Sequence, residues 1–297
     1  MAVLITGVSG FIGQRLAESL LSDGIDVTGL DFQNFNRELF QYENYSFIKE
    51  SVTNESAFEK VTWAEYDYVC HLAASGVKAA NRNWYSCVNV NVTGTANLLR
   101  SLLSAESKAT KVPDFLFTRT FYEEHINQFT DLRQNPYIVT KAAAFSLVKN
   151  YIAAKRSNTV KIAKLFQVYG PSDNPNNVLN YTAAKLKQKE NVYLGSGSGK
   201  RDWIYVDDAV LALKSCCLDD DKQDIEFDVG SGRLYTVRDM VETIADLLDA
   251  EKNLLNYDPA LDRGDVGIAE RARKIPDFWT NQIGIKEGLN KLISSIL

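Results

Sequence analysis

Residues 3–13 read Val-Leu-Ile-Thr-Gly-Val-Ser-Gly-Phe-Ile-Gly, an apolar run that leads directly into glycines at 7, 10 and 13. An apolar run without alternation is typical of a parallel strand buried on both faces. Gly7 permits a tight turn, Gly10 lets a phosphate approach the backbone, and Gly13 lets the next helix pack closely on the strand. Backbone N–H groups at the start of that helix can bind the phosphate. The stretch predicts the first strand, turn and helix of a dinucleotide-binding fold.

The second predicted strand ends at Asp31, which indicates the kind of dinucleotide. A carboxylate here accepts hydrogen bonds from the adenosine ribose hydroxyls and repels a 2′-phosphate. The first basic residue after it is Arg37. We therefore predict NAD rather than NADP as the cofactor. The predicted NAD-binding residues in this part of the chain are Gly7, Ser9, Gly10, Phe11, Ile12, Gly13, Asp31 and Phe32.

Strand-like and helical segments alternate through the first half of the chain. This order predicts an α/β fold with a doubly wound parallel sheet of the Rossmann type, whose ligands lie at the carboxyl ends of the strands. The pattern loosens after Gly170-Pro171. We predict a dinucleotide-binding domain over 1–168, joined by roughly 203–230, and a smaller interleaved substrate domain over 169–297. The predicted strands are 3–5, 27–30, 46–48, 68–72, 115–118 and 162–168, and the predicted helices are 15–21, 93–103, 140–154, 236–248 and 286–297.

Composition and charge disfavour several classes of protein. The chain has 297 residues, is 45% hydrophobic and 24% charged, and carries a formal net charge of −5. A negative chain gives no reason to expect nucleic acid or an anionic membrane as partner, and no apolar run reaches transmembrane length. The four cysteines have no metal-ligand spacing and there are two histidines. We therefore predict no metal site, and reduced thiols in a cytoplasmic protein.

Tyr137 and Lys141 lie four residues apart and follow Pro136, where a helix can begin. On a helix this spacing puts both side chains on one face, a turn apart. A phenol has a pKa near ~10, and a neighbouring ammonium and the positive nicotinamide ring are both expected to lower it. We predict that Tyr137 takes a proton from a substrate hydroxyl while hydride leaves the same carbon. Lys141 would also contact the nicotinamide ribose.

A hydroxyl residue, Thr118, ends the strand predicted just before this pair. Its side chain would hold the substrate oxygen and pass the proton to Tyr137. We predict Thr118 as the third catalytic residue, with Thr120 as the alternative.

Taken together, these motifs resemble the extended short-chain dehydrogenases/reductases, in the branch of nucleotide-sugar epimerases, dehydratases and 4-ketoreductases. The resemblance runs almost end to end, and the other segments that carry it are 71–74 (His-Leu-Ala-Ala), 91–95 (Asn-Val-Thr-Gly-Thr), 168–171 (Val-Tyr-Gly-Pro) and 201–208 (Arg-Asp-Trp-Ile-Tyr-Val-Asp-Asp). It implies that Leu72, Ala73, Ala74 and Asn91 lie at the NAD site. Counting back four residues from Tyr122 places the family's catalytic hydroxyl at Thr118.

Two arginines and a glutamine are expected to bind a nucleotide-diphosphate sugar. Arg201 opens the segment 201–208, and Arg263 lies in Arg-Gly-Asp-Val, similar to a late element of the family. A guanidinium fork suits a diphosphate better than an ammonium does. Gln167 stands where relatives usually carry an Asn that touches the nucleotide-sugar. We predict these three, with Thr118, as substrate-binding residues.

The chain departs from the family pattern around Thr118. Family dehydratases follow the catalytic Thr with Asp and Glu, but here Arg119 and Thr120 follow, which disfavours dehydration. Glu123 replaces the usual Gly, and the segment from Thr118 to Tyr137 is short, as in the 4-ketoreductases that make deoxyhexoses.

The sequence as a whole predicts an NAD-dependent epimerase that acts at C4 of a nucleotide-diphosphate hexose through a 4-keto intermediate. One alternative is an NAD(P)H-dependent reductase of a nucleotide-diphosphate 4-keto-6-deoxyhexose, and another is a catalytically silent NAD-binding regulator. Asp31 favours epimerisation, because tightly held NAD suits a cycle without net redox change. The resemblance also implies a homodimer, in which the helix after Asn91 and the helix of Tyr137 form a four-helix bundle.

Overall fold

The computed structural model describes residues 1–33, 38–77, 82–108, 110–127, 135–155, 157–262 and 268–296. Its strands over these residues are β1 (Ala2–Thr6), β2 (Asp26–Asp31), β3 (Tyr45–Lys49), β4 (Tyr68–His71), β5 (Asp114–Thr120), β6 (Val160–Leu165), β7 (Gln167–Tyr169), β8 (Val192–Leu194), β9 (Lys200–Tyr205), β10 (Ile225–Val229), β11 (Leu234–Thr236) and β12 (Leu255–Tyr257). Its helices there are α1 (Phe11–Ser22), α2 (Trp84–Cys87), α3 (Gly94–Ser107), α4 (Pro136–Ala154), α5 (Val178–Lys187), α6 (Val206–Leu218), α7 (Val237–Leu247) and α8 (Ile285–Ser295).

The main sheet has the strand order β10-β6-β5-β4-β1-β2-β3 within the described residues. Every neighbouring pair in it is parallel. The order reverses between β1 and β4, and ligands bind in the crevice outside the carboxyl ends of the strands at such a switch point. The prediction of a Rossmann-type doubly wound sheet is confirmed.

Alternate residues of β1 enter different cores, which shows that both faces of the sheet are covered. Val3 and Ile5 pack in one apolar cluster with Leu16 of α1. Leu4 packs in a second cluster with Leu98 of α3 and, from α4, Val148. Burying one such side chain stabilises the fold by roughly 1.5–3 kcal/mol. The two layers of helix therefore hold the carboxyl ends of β1, β4 and β5 in fixed positions.

The strand predicted over 162–168 is wrong in one respect, because the structure divides it into β6 and β7. Phe166 lies between them and donates its N–H to the Val229 carbonyl at 3.0 Å. β7 then leaves the main sheet and pairs with β9, which also pairs with β11. Leu165, Phe166 and Val168 continue the apolar pattern across the junction, so hydrophobicity alone does not mark the point at which the chain changes sheets.

The helix predicted over 93–103 also begins earlier than expected. Its helical path starts with α2, continues through a π-helical segment over Val88–Thr93, and ends with α3. A π-helical segment shifts the helical register, and such segments are frequent at functional sites. This one brings Asn91 inward, where it is buried.

Residues after 168 contribute to more than one layer. The chain forms β7, β8 and β9, and then returns to the edge of the main sheet as β10 beside β6. β8 pairs with β12 in a separate small sheet. Among the described residues, no helix is both long enough and apolar enough to cross a membrane.

Candidate active site

The turn between β1 and α1 forms a cradle that only glycine fits. A Cβ atom on Gly7 would lie 2.6 Å from the Ala73 nitrogen, and the φ of Gly7 is +73°. A Cβ atom on Gly13 would lie 2.3 Å from the Gly7 carbonyl oxygen. Over its described length α1 has no side-chain cap and no acidic residue in its first turn. Its first N–H groups are therefore available for the phosphates of a dinucleotide.

Asp31 at the end of β2 lies against this turn. Its carboxylate accepts the N–H of Ser9 at 3.1 Å and the N–H of Phe32 at 2.8 Å. Burial raises the pKa of the carboxyl, and the bonds from these N–H groups oppose that rise. Phe32 is exposed, whereas Phe11 is half-buried and packs on the core. The turn and the carboxylate thus lie side by side, as the predicted site for a dinucleotide requires.

The segment after β4 passes over this turn and is held by a buried histidine. The Nδ1 atom of His71 hydrogen-bonds the Thr6 hydroxyl at 2.7 Å, and its Nε2 atom hydrogen-bonds the Thr95 hydroxyl at 3.0 Å. The Thr95 hydroxyl donates to the Asn91 carbonyl at 2.6 Å, so it accepts from Nε2. Burial, with a smaller effect of the Lys141 charge, lowers the pKa of His71 to about 3. The imidazole is therefore neutral and ties the end of β4 to β1 and α3, and the same Thr6 hydroxyl accepts the N–H of Ala73 at 3.4 Å.

Asn91 uses its side chain to hold the same segment. Its Oδ1 atom accepts the N–H of Ser75 at 2.8 Å, and its Nδ2 atom donates to the Ser75 carbonyl at 3.0 Å and to the Thr140 hydroxyl at 2.9 Å. Both amide hydrogens are thereby used within the protein. The structure thus places Asn91 behind the segment that lines the NAD cradle, as a link to α4.

Tyr137 lies in the first turn of α4, where the Asn135 side chain accepts its N–H at 3.1 Å. The side chain of Thr120 lies next to the Tyr137 hydroxyl and acts to lower the pKa of the phenol. A Cβ atom on Gly76 would lie 3.0 Å from the Tyr137 Cβ atom, so the segment after β4 runs from the glycine cradle to Tyr137. The space between Gly7 and Tyr137 therefore suits the nicotinamide end of the predicted dinucleotide.

The two threonines of β5 have different partners. The Thr118 hydroxyl donates to the His71 carbonyl at 3.3 Å and is buried. The Thr120 hydroxyl is the one that meets Tyr137. The structure thus brings the alternative, Thr120, to the tyrosine, while the Thr118 hydroxyl bonds a carbonyl of the neighbouring strand β4.

The expected lowering of the Tyr137 pKa is wrong for the protein on its own. Burial, followed by the negative charge of Glu123, raises this pKa well above its ordinary value, while Thr120 and Arg82 oppose the rise. The Lys141 ammonium donates to the Thr118 carbonyl at 2.6 Å and lies 4.5 Å from the centre of the Phe117 ring. Burial lowers the pKa of Lys141 to about 8, so it is mostly charged at neutral pH.

Sequence reasoning missed a buried ion pair beside these groups. Arg119 donates its Nε–H to Glu123 at 3.1 Å, bonds Glu226 of β10, and lies 4.0 Å from the centre of the Phe145 ring. The spacing from Thr120 to Glu123 is that of a capping box, in which the third residue of a helix bonds the cap backbone. The box opens a 3₁₀ helix over Phe121–His125. The Thr120-to-Glu123 spacing was the sequence signal that could have revealed this role of Glu123.

The predicted substrate residues are only partly brought together. Arg201 is buried, and it donates to the Tyr122 hydroxyl at 3.1 Å and to the Ile268 carbonyl at 3.0 Å. Gln167 begins β7 and is half-buried. Arg263 lies outside the described residues. An apolar cluster beside Tyr137 contains Phe121, Ile138, Phe166, Ile268 and Ala272.

A glycine cradle at a topological switch point, with a Tyr and a Lys one turn apart on a nearby helix, defines a dinucleotide-dependent oxidoreductase fold. The family model of the NAD dependent epimerase/dehydratase family matches residues 3–230. The chain therefore belongs to that family, and the predictions of the family, of an NAD-dependent enzyme and of NAD as cofactor are confirmed.

Several relatives cover almost the whole chain. The UDP-glucuronate 4-epimerase of Thermodesulfobacterium geofontis is 28% identical over 98% of this chain and 94% of its own length. The CDP-abequose synthase of Salmonella typhimurium is 23% identical over 99% of this chain and 98% of its own. The UDP-glucuronic acid 4-epimerase from Bacillus cereus, solved in complex with UDP-glucuronic acid and NAD, superimposes with a TM-score of 0.77 at 20% identity, covering 99% of this chain and 98% of that one.

Proposed function

We propose that this chain is an NAD-dependent epimerase that acts at C4 of a nucleotide-diphosphate hexose through a 4-keto intermediate. The observation that carries the proposal is the placement of the Thr120 side chain next to the Tyr137 hydroxyl, with Lys141 one turn further along α4. These groups lie at the far end of the segment that begins over Gly7. Similarity to a UDP-glucuronate 4-epimerase supports the type of reaction.

The proposed mechanism assigns the proton transfer to Tyr137 and its positioning to Thr120. Bound NAD supplies the acceptor, and later the donor, of the hydride at C4. Tyr137 takes the proton of the C4 hydroxyl, and returns it after the 4-keto sugar has rotated to present its opposite face to the cofactor site. Thr120 holds the phenol and the substrate oxygen in line. Lys141 provides a positive charge on the same helix face.

The high pKa of Tyr137 has a consequence for this mechanism. In the protein alone, burial and Glu123 keep the phenol protonated. A positive charge bound next to the phenol favours the phenolate. We therefore expect Tyr137 to become a base only when the cofactor site is filled with the oxidised form.

The substrate side of the proposal rests on Gln167, Arg201 and Arg263. Arg201 is held in place by Tyr122, where its guanidinium suits a diphosphate. The stacked rings of Phe121 and Phe166, with centroids 5.2 Å apart, are buried in the apolar cluster on which Tyr137 packs, and so support the tyrosine from behind. Dehydration is disfavoured, since Phe121 and Tyr122 follow Thr120 where a dehydratase needs two carboxyl groups.

The second candidate function is a 4-ketoreductase, which would use the same residues for one half-reaction. The similarity to CDP-abequose synthase and the short segment before Tyr137 favour it. An epimerase retains its cofactor through many cycles, whereas a reductase exchanges it in every cycle. This difference makes the two functions separable.

The deciding experiment has two arms. Purified protein is denatured and the released nicotinamide is assayed, and the native protein is then incubated with UDP-, dTDP-, CDP- and GDP-hexoses and the C4 configuration is followed by NMR. Bound NAD with C4 inversion supports the epimerase. A protein that is purified without cofactor and consumes NADH or NADPH with a 4-keto sugar would be a reductase. Binding of NAD without any turnover, unchanged in Y137F, would indicate the silent regulator.

We also propose that the enzyme works as a cytoplasmic homodimer. Leu98 and Leu102 of α3 and Val148 of α4, on the two helices expected to form the four-helix bundle, are buried in the chain's own core. Trp84 and Tyr85, on the same helical path, are 50% and 81% exposed and suit a contact with a second copy. Light scattering of the purified protein tests the dimer, and W84A/Y85A is expected to dissociate it.

A further inference from the structure

Glu123 is a buried carboxylate that the proposed mechanism does not use. It stands three residues after Thr120, and its side chain is 2% exposed. Its Oε1 atom accepts the N–H of Thr120 at 2.9 Å, and its Oε2 atom accepts the Nε–H of Arg119 at 3.1 Å. A carboxylate that is buried needs such partners to offset the loss of water.

Arg119 fixes the place of this carboxylate, because it is bound to three parts of the fold. It belongs to β5, it forms an ion pair with Glu226 of β10, and its guanidinium lies over the ring of Phe145 in α4. The helix that carries Phe145 is also the helix that carries Tyr137. The Glu123 carboxylate therefore has a defined position relative to both the strand end and the catalytic helix.

Glu123 accepts the backbone N–H of Thr120, and the side chain of that same residue lies next to Tyr137. Thr120 is the last residue of β5, and the chain turns into a 3₁₀ helix directly after it. β5 stays paired with β6 up to Thr120, but without this bond the turn into the 3₁₀ helix loses half of its capping box, and the Thr120 side chain is held less firmly. A displacement of about 1 Å at a reacting group can cost up to about 100-fold in rate.

We propose that Glu123 is a positioning residue of this active site, which holds Thr120 against Tyr137 with Arg119 as its counter-ion. The inference rests on the proposed function only for its kinetic readout. It explains why a Glu stands where relatives carry a Gly: the carboxylate is part of the support of the catalytic hydroxyl.

The test compares two neutral side chains of similar length, E123Q and E123M. Gln keeps an oxygen that can accept the Thr120 N–H, and Met does not, whereas both remove the charge that acts on Tyr137 and Lys141. We expect kcat of E123M to be roughly 10- to 100-fold below that of E123Q, with KM changed much less. In a T120A background the two are expected to be nearly equal, because residues that act as a unit are not additive. E59M, at an exposed glutamate, is the control for the substitution itself.

Hydrogen exchange at the Thr120 amide tests the same bond without substrate. We expect faster exchange in E123M than in E123Q, whatever reaction the enzyme performs. Equal exchange in the two variants, or a kcat difference that persists in the T120A background, would overturn the proposal. If E123M does not fold, R119M/E123M against R119M/E123Q makes the same comparison without an unpaired guanidinium. Wild-type protein that turns over no hexose in the panel contradicts the proposed function, while the exchange experiment still decides the role of Glu123.

Discussion

Replacing Lys141 by Met is expected to stabilise the protein while removing its activity. Burial lowers the pKa of Lys141 from its ordinary value of 10.5 to about 8. A difference of this size corresponds to about 3 kcal/mol of destabilisation at pH 7 by the buried ammonium. Loss of the hydrogen bond to the Thr118 carbonyl offsets about 1–2 kcal/mol of the gain. We therefore expect the free energy of unfolding of K141M to exceed that of the wild type by about 1–2 kcal/mol at pH 7.

The pH dependence of stability tests the effect of the Lys141 ammonium more specifically than a single stability value does. The folded protein releases the Lys141 proton near pH 8 and the unfolded chain keeps it to about 10.5, so wild-type stability rises with pH between these values. At pH 9.5 the destabilisation by the buried ammonium has fallen to about 1.4 kcal/mol. The difference in the free energy of unfolding between K141M and wild type therefore shrinks by about 2 kcal/mol between pH 7 and 9.5.

Urea denaturation of nucleotide-free protein at the two pH values measures this change directly. Bound nucleotide must be removed, because its loss in the variant would alter the apparent stability by mass action. K149M, at an exposed position of the same helix, controls for the substitution. A difference between K141M and wild type that stays constant from pH 7 to 9.5 would refute the argument that the ammonium is desolvated.

Three further predictions concern the cofactor cradle. G13A places a Cβ atom 2.3 Å from the Gly7 carbonyl oxygen, so the variant is expected to fold poorly or to be purified without NAD, as measured by nicotinamide release. D31S removes the carboxylate that repels a 2′-phosphate, so the preference for NAD over NADP in titrations should fall at least about tenfold; an unchanged ratio contradicts the role of Asp31. His71 has a pKa of about 3, so its NMR signals should not titrate between pH 8 and 5, and stability should fall by about 1.4 kcal/mol per pH unit below 6.5, where only the unfolded chain gains the proton.

The parts of the site that depend on local sequence could be predicted. Gly13 is required by a contact within the turn and Gly7 by its positive φ, and Asp31 follows from its place at the end of β2. Tyr137 and Lys141 are placed by helix geometry alone. In each case the spacing along the chain determines the spacing in space, so the sequence carries the information.

The choice between Thr118 and Thr120 could not be made in this way. Side chains two apart on a strand point to the same face, so both threonines were compatible with the pattern. Counting back from Tyr122 assumes a fixed distance to that residue, but here β5 runs on to Thr120 and a 3₁₀ helix begins at Phe121. The position of the strand end depends on Glu123 and its partners in other elements.

The pKa values of Tyr137 and Lys141 could not be predicted from the sequence either. Spacing predicted that Lys141 would lower the pKa of Tyr137, but the pKa is governed by burial and by Glu123. Burial is a property of the packed fold, and the partner of the Lys141 ammonium is a backbone carbonyl. Neither can be read from the identity of residues four apart.

The most direct test of the account is the comparison of T120V with T118V, two substitutions that remove a hydroxyl with little change of volume. We expect T120V to lower kcat by roughly 100-fold, as is typical for the loss of a group that assists proton transfer, with NAD content unchanged. T118V is expected to stay within about threefold of wild type, because its hydroxyl contacts only the His71 carbonyl among the described residues. A large loss in T118V with an active T120V would contradict the assignment of the catalytic hydroxyl to Thr120.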